Sequence, residues 1–321
     1  MVQKKQSKIY CEIVKEKNGF KSLFIFLLFF FGSLFVFSLL ILSLGAIFMS
    51  GEGNYLADEN VAIIKINGIL ATEESGFMSN TVSSSKIIQL IDKVVEESQI
   101  KAIIFEINSP GGSPVASEEI GNRIKELEIP TVTVIRDIGT SGGYWVSSAT
   151  DYIIASKMSV TGSIGVIGSY LEFDAFITDH NISYNRLVAG KYKDMGSPLK
   201  KMEDEERDIY QGLLDDLHKD FIKEIADNRG MDFLEVQDLA TGRIFTGRNA
   251  LELGLIDQLG GRREAIGYLS NLLNISVDVI EFKSSEGLFS SFSGIINEHG
   301  YSMGKGMGSS LIKEDKLKVL I

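Results

Sequence analysis

Hydrophobic positions along this 321-residue chain are arranged in three different ways. From Leu23 to Met49 they form an almost unbroken run of Leu, Phe, Ile and Val, relieved only by small residues. At about 1.5 Å per residue a helix of that length crosses a hydrocarbon layer of roughly 30 Å with length to spare for tilt. A cleaved signal peptide is the alternative, but its apolar core is normally about 7–15 residues and ends at a small-residue site. Gly45-Ala46-Ile47-Phe48 makes a poor one. The expectation is an uncleaved anchor over residues 22–49. Lys4, Lys5, Lys8, Lys15, Lys17 and Lys21 precede it and Glu52, Asp58 and Glu59 follow it. The positive-inside rule then puts residues 1–21 in the cytoplasm and the rest of the chain on the far side of a cell membrane.

Beyond a short Gly- and Asn-containing linker the pattern becomes periodic. Val61–Asn67 and Lys101–Asn108 read as buried, β-branched strands, each ending in a turn residue. Between them Ile87, Ile88, Ile91, Val94 and Val95 recur at helical spacing. Thr131–Ile135 and Tyr152–Ala155 predict two more strands, and Ser183–Val188 a fifth. A long charged helix is expected over 202–228, with Ile209, Leu213, Leu217, Phe221, Ile222 and Ile225 on one face and Gly230 as its stop. Arg243–Gly247 predicts a short strand, 248–253 a helical turn and 254–258 an extended piece. Strands alternating with helices give an α/β layered fold. The organisation expected is a domain over 55–282 followed by a mobile tail, 283–321, in which Ser and Gly rise and periodicity fades. The apolar end of that tail is a candidate occupant of the domain's own groove.

The net charge of −11 argues against a nucleic-acid partner. The single cysteine, Cys11, lies on the expected cytoplasmic side, so the external domain has neither a disulfide nor a thiol nucleophile. His180, His218 and His299 are far apart and follow no metal-ligand spacing, so neither a metal nor another cofactor is expected.

Ser141 is the candidate nucleophile. It follows the 131–135 strand in a GxSxG-like context and precedes a stretch suited to a buried helix, which would set its hydroxyl beside unpaired N–H groups. A helix N-cap is the competing role for a serine so placed. The turn Asn108–Pro114 follows another strand, and its paired glycines can turn N–H groups outward as a nest for an oxyanion; one such donor lowers the barrier by about 3–4 kcal/mol. Phosphate binding and a plain turn are the alternatives, and a Walker loop is absent. None of the three histidines sits where a base is needed. A lysine can serve instead if its pKa falls from about 10.4 to about 7–8. Lys191 and Lys193, in a turn-like stretch after the expected fifth strand, are both eligible.

SPGGS (109–113), TSGGYWVSSATDYIIA (140–155), TGSIGV (161–166), GKYKD (190–194) and GRIFTGRNALELGLIDQLGG (242–261) together resemble the signal peptide peptidase A proteins of peptidase family S49. The resemblance runs from about residue 60 to 270 and is to the short form with one protease unit. It implies a ClpP/crotonase-like fold after one transmembrane helix, and a membrane-anchored Ser-Lys protease that degrades remnant signal peptides. Ser141 then matches the nucleophile, Lys193 the general base, and Ser163 a serine that orients the lysine. Gly112 and Gly142 match the oxyanion-hole donors, and Tyr144 and Trp145 are candidates for an apolar substrate pocket. The family also implies ring- or dome-shaped homo-oligomers in which one site takes its serine and lysine from different protomers. A Ser-Lys protease acting on membrane scaffold or misfolded membrane proteins is the alternative, and an inactive scaffold on the same fold is the alternative from another class.

Overall fold

The computed structural model describes residues 26–41, 59–73 and 80–282. The chain divides into two units at the Asp58/Glu59 boundary, and each is described by itself. In the first, residues 26–41 form a helix, α1, whose side chains are all exposed, Phe29 at 74% and Phe37 at 66%. Among the described residues no helix is long and apolar enough to cross a membrane. The remainder of the expected span, 22–25 and 42–49, lies outside the described residues, as do the linker, residues 1–21, Cys11 and the tail 283–321.

The second unit is a mixed α/β fold around one largely parallel main sheet. It opens with β1 (Val61–Asn67), β2 (Ile69–Ala71), β3 (Thr81–Ser83) and α2 (Ser84–Glu96), followed by β4 (Ala102–Ser109) and α3 (Pro114–Lys125). Next come β5 (Thr131–Thr140), α4 (Gly142–Ser148), β6 (Tyr152–Ala155), β7 (Val160–Gly162) and α5 (Asp174–Asp179). The chain closes with α6 (Asp204–Arg229), α7 (Phe233–Leu239), β8 (Ile244–Thr246), α8 (Gly247–Glu252), β9 (Gln258–Leu259), α9 (Arg262–Leu273) and β10 (Val279–Phe282). The main sheet runs β10-β1-β4-β5-β6-β9, and β2 and β3 pair separately.

Because side chains alternate across a strand, the continuous apolar runs of β1, β4 and β5 feed both faces of the sheet. Ile64, Ile66, Phe105 and Ile107 pack with α2 and α3 on one face. Ile63, Ile104, Val132 and Val134 meet Ala265 and Leu269 of α9 on the other. Glu106 is the buried exception, held by a bidentate pair to Arg262 at 2.6 and 2.7 Å that fixes the start of α9 against β4.

β5 is longer than expected, and that extension positions the site. Its first half, Val132–Ile135, pairs with β6, whereas Ile138–Thr140 pairs with β7, so the sheet forks along this one strand. The β4–β5 register shifts at the fork, between Ile107 and Ser109. Asn108 bridges the gap: its Oδ1 accepts from Ile138 N–H at 3.2 Å. The fork carries Thr140 and Ser141 away from the sheet body and next to the 109–113 turn.

Two sequence expectations fail in one region. Ser183–Val188 forms no strand; the stretch lies exposed, with Leu187 at 96%. In α6 only the C-terminal part of the expected apolar face is buried (Phe221, Ile222 and Ile225), while Ile209 and Leu213 are 41% and 54% exposed. The cause is common to both. Residues 165–203 leave the sheet as an arm packed along the N-terminal half of α6, with Tyr210 hydroxyl donating to Met195 carbonyl at 3.3 Å. Period alone cannot tell a face that meets the core from one that projects past it.

Candidate active site

Ser141 is the one residue between β5 and α4, with φ 53° and ψ −126°. For a residue with a Cβ this left-handed conformation costs about 1–3 kcal/mol and persists only where neighbours enforce it. The neighbours are explicit. Ser141 N–H donates to Gly162 carbonyl at 2.8 Å, and Ser141 carbonyl accepts from Tyr144 N–H at 2.8 Å and Trp145 N–H at 3.0 Å. The hydroxyl makes no capping bond to α4. The helix-cap role open from sequence is therefore not the one Ser141 plays.

The 109–113 turn lies against this elbow. A Cβ on Gly111 would fall 2.8 Å from Ser141 Cβ and 2.7 Å from Gly142 N. An isolated parallel bridge holds the turn in place: Leu70 N–H donates to Gly111 carbonyl at 2.9 Å, and Ser113 N–H to Leu70 carbonyl at 2.8 Å. That pattern leaves the Gly112 N–H out of the bridge. Gly142, as the first residue of α4, has an N–H that precedes the intrahelical ladder. The two lie side by side, since Gly112 N is 3.4 Å from the site of a Gly142 Cβ. Neither position admits a side chain. A Cβ would sit 2.1 Å from Leu70 carbonyl oxygen at Gly112 (φ +154°), and 2.3 Å from Ser117 Oγ at Gly142.

A cleft of about 220 Å³ opens beside Ser141, Gly112 and Gly142. Its wall is Trp145 stacked on Phe221, ring centroids 4.9 Å apart, with Val166 and Leu217 nearby. Trp145 is thus a cleft residue. Its neighbour Tyr144 is not: the ring is fully buried in the core between α4 and α6, and its hydroxyl donates to Leu255 carbonyl at 2.7 Å. Alternation of role at successive helical positions follows from their angular separation of about 100°.

Ser163 also has a positive φ, 52°, fixed by its N–H donating to Arg243 carbonyl at 2.8 Å. It follows Gly162, whose carbonyl holds Ser141, so the TGSIG segment reaches the elbow through backbone. Sequence reading missed this strut, although a glycine at φ +82° beside β8 is its trace.

The lysines lie on the arm. Lys193 is exposed in the 191–196 turn, its N–H donating to Gly190 carbonyl at 3.2 Å, and it is not among the residues lining the Ser141 cleft. The surrounding turn is fastened by ion pairs. Arg186 donates to both Asp194 oxygens at 2.5 and 2.8 Å and to Lys191 carbonyl at 3.0 Å. Lys200 donates to Glu206 at 2.5 Å. Lys191 bonds Glu205, which also accepts from Tyr192 hydroxyl. The Glu205 and Tyr192 contacts raise the Lys191 pKa and hold its ammonium charged, which makes it a poor base. Asp194, Glu205 and Glu206 are held below the usual carboxylate range, chiefly by hydrogen bonds from Arg186, Lys191 and Lys200 respectively. Lys193 forms no ion pair among the described residues. Among those residues no group of His, Cys, Asp and Glu could hold a metal ion.

A strained serine at a strand–helix elbow, next to outward-facing N–H groups, has the form suited to attack on a carbonyl carbon, the chemistry of serine hydrolases. Comparison with known proteins narrows the class. The family model described as Peptidase family S49 matches residues 123–276. A candidate protease of Methanocaldococcus jannaschii is 33% identical over 72% of this chain and 74% of its own. A candidate signal peptide peptidase SppA of Enterococcus faecium is 33% identical over 73% and 70%. Protease 4 of Haemophilus influenzae is 29% identical over 69% of this chain but only 36% of its own. Among solved structures, a membrane-bound stomatin-specific protease covers 72% of the chain at 17% identity and a TM-score of 0.46. The chain belongs to peptidase family S49 and is a serine protease of the SppA-like kind.

Proposed function

We infer that this protein is a membrane-anchored Ser-Lys endopeptidase that degrades remnant signal peptides after their release. The observation carrying the reading is the uncapped Ser141 hydroxyl beside the Gly112 and Gly142 N–H pair at an apolar cleft. In the proposed reaction neutral Lys193 takes the Ser141 proton as Oγ attacks a peptide carbonyl. The oxyanion is stabilised by the two glycine N–H groups. The lysine ammonium then protonates the leaving amine, and water, deprotonated by Lys193, releases the acyl group. Ser163 steers the lysine ammonium. The apolar run 22–49 anchors the domain to a cell membrane, N-terminus inside, and so concentrates it near embedded peptides.

The reading places Lys193 in the site of a second copy. Lys193 lies on an arm whose Ile167, Leu171 and Leu187 are 87%, 71% and 96% exposed, and apolar surface of that extent favours burial against another chain. A homo-oligomeric ring or dome would enclose the lysine and remove water from it, which is the condition for a neutral amine at neutral pH.

The test is hydrolysis of a fluorogenic signal-peptide analogue by the full-length protein in detergent. Ser141→Ala and Lys193→Ala each lower turnover by about four orders of magnitude or more. Lys191→Ala changes it by no more than about fivefold, as expected for an exposed ion pair. Loss confined to Lys191→Ala would reassign the base.

A further inference from the structure

The cleft beside Ser141 is apolar inside, and its exposed lining sets two carboxylates beside the apolar Val115 and Ile167. Trp145 and Phe221 are buried and Val166 and Leu217 half-buried, whereas Glu118 of α3 and Asp220 of α6 are exposed on the same lining. The two carboxylates approach from different helices, and among the described residues neither has an ion-pair partner. None of the residues lining the cleft is basic. Lys219, next to Asp220 in sequence, lines a separate cleft with Asp215 and His218. This differs from the uniformly apolar pocket that the family resemblance implies.

We propose that Glu118 and Asp220 are specificity-determining residues that extend cleavage to peptides with Lys or Arg at the position preceding the scissile bond. This rests on the Ser141 reading and names the substrate side chain that its cleft takes. A Lys or Arg side chain has an apolar stem and a cationic head, so its stem lies along the Trp145–Phe221 wall while the head stays at the wet rim between the carboxylates. Norleucine gains the same wall without the charge, and Glu meets two like charges. The basic end of a signal peptide, which an apolar pocket alone would leave uncut, becomes a substrate for the same site.

The experiment compares matched fluorogenic peptides differing only in norleucine, Lys, Arg or Glu at that position, with full-length protein. In the wild type kcat/KM for Lys and Arg exceeds that for Glu by about tenfold, two rim charges each contributing a few-fold. The Lys-to-norleucine ratio falls about tenfold in Glu118→Gln/Asp220→Asn and by an intermediate factor in each single variant. Raising the salt from 0.05 to 1 M lowers the ratio in the wild type, because rim charges are screened. Glu118→Lys/Asp220→Lys reverses the order of Lys and Glu. A ratio unmoved by both salt and charge removal, with norleucine peptide still cleaved and that cleavage lost in Ser141→Ala, overturns the specificity assignment alone. Cleavage of the norleucine peptide by Ser141→Ala overturns the serine reading and this assignment with it.

Discussion

The elbow at Ser141 and the arm at Lys193 are the two halves of one proposed active site, and they are built in opposite ways. The elbow is finished within one chain: Gly162, Tyr144 and Trp145 bond Ser141 from two directions, Leu70 clamps the 109–113 turn, and the residues of α4 are all buried. The arm is held by ion pairs that range from exposed, Lys191–Glu205, to largely covered, Lys200–Glu206, and it carries large apolar side chains into solvent. A strained backbone needs a rigid surround, so the nucleophile has to be completed locally. A lysine base needs water removed from it, and an exposed arm cannot supply that by itself. Under the proposed mechanism the contrast would leave orientation to the single chain and desolvation to an assembly of copies.

Mixing inactive variants breaks or confirms that division with the largest effect. Ser141→Ala retains an intact arm, and Lys193→Ala an intact elbow. If sites form between copies, co-assembly of equal amounts restores about a quarter of wild-type turnover, since half the elbows and half the arms are intact and pair at random across a heterologous interface. Activity staying at the level of the separate variants after verified co-assembly would put both residues of a site in one chain.

How far the sequence disclosed each half follows the same contrast. β1, β6 and the C-terminus of α6 at Gly230 fall where periodicity and turn residues predict them, because burial on both sides leaves a continuous apolar signature. The elbow was legible as a strand-to-helix serine with glycines on either side, but its φ of 53° and the absence of a capping bond were not. They arise from Gly162 and Leu70, which are distant in sequence. The fork in β5 was also hidden, since Arg136 and Asp137 look like the end of a strand and are instead its bend. In the arm, Ser183–Val188 and the Ile209 and Leu213 positions have the pattern of buried elements without being buried in this chain. Hydrophobic period reports that a face is apolar, not that the chain buries it.

A smaller effect sharpens what the ion pairs do. If Arg186 merely pre-orders an arm that a second copy finally holds, Arg186→Gln lowers kcat/KM by about tenfold, the order expected for a bidentate pair that is only partly exposed. A loss approaching that of Lys193→Ala would mean that the pairs themselves create the site. The pH dependence follows from the same groups. Asp194, Glu205 and Glu206 have lowered pKa values in the folded chain. Their contribution is complete above the unfolded carboxylate range near about pH 4–5 and is lost as pH falls through the lowered values. Amide exchange over 186–206, corrected for the intrinsic pH dependence of exchange, should therefore lose protection on acidification before the strands β1 and β4 do. Coincident loss in both places would count against an independently fastened arm.

The smallest expected change separates two neighbours on the elbow's own helix. Tyr144 and Trp145 follow Ser141 by three and four residues, yet only Trp145 lines the cleft. The Tyr144 hydroxyl joins a buried set of contacts in which Arg229 holds Gly254 carbonyl and Asp257, and Asp257 accepts from Ile153 N–H at 2.7 Å. Burial pushes the Tyr144 phenol well above its ordinary pKa, so it stays a neutral donor to Leu255. Tyr144→Phe leaves that carbonyl without its donor and should lower unfolding stability by about 1–2 kcal/mol in urea titration. The ratio of Lys to norleucine cleavage should not move, because the ring does not face substrate. Trp145→Phe should move selectivity and also lower stability, because the indole is buried against Phe221. It shortens the wall that carries the side-chain stem, so discrimination between norleucine and alanine peptides falls by about fourfold, in line with about one methylene's worth of buried contact. A change of selectivity in Tyr144→Phe would show that the packing of α4 reaches the cleft, and the boundary between core and substrate would then have to be drawn outside both residues.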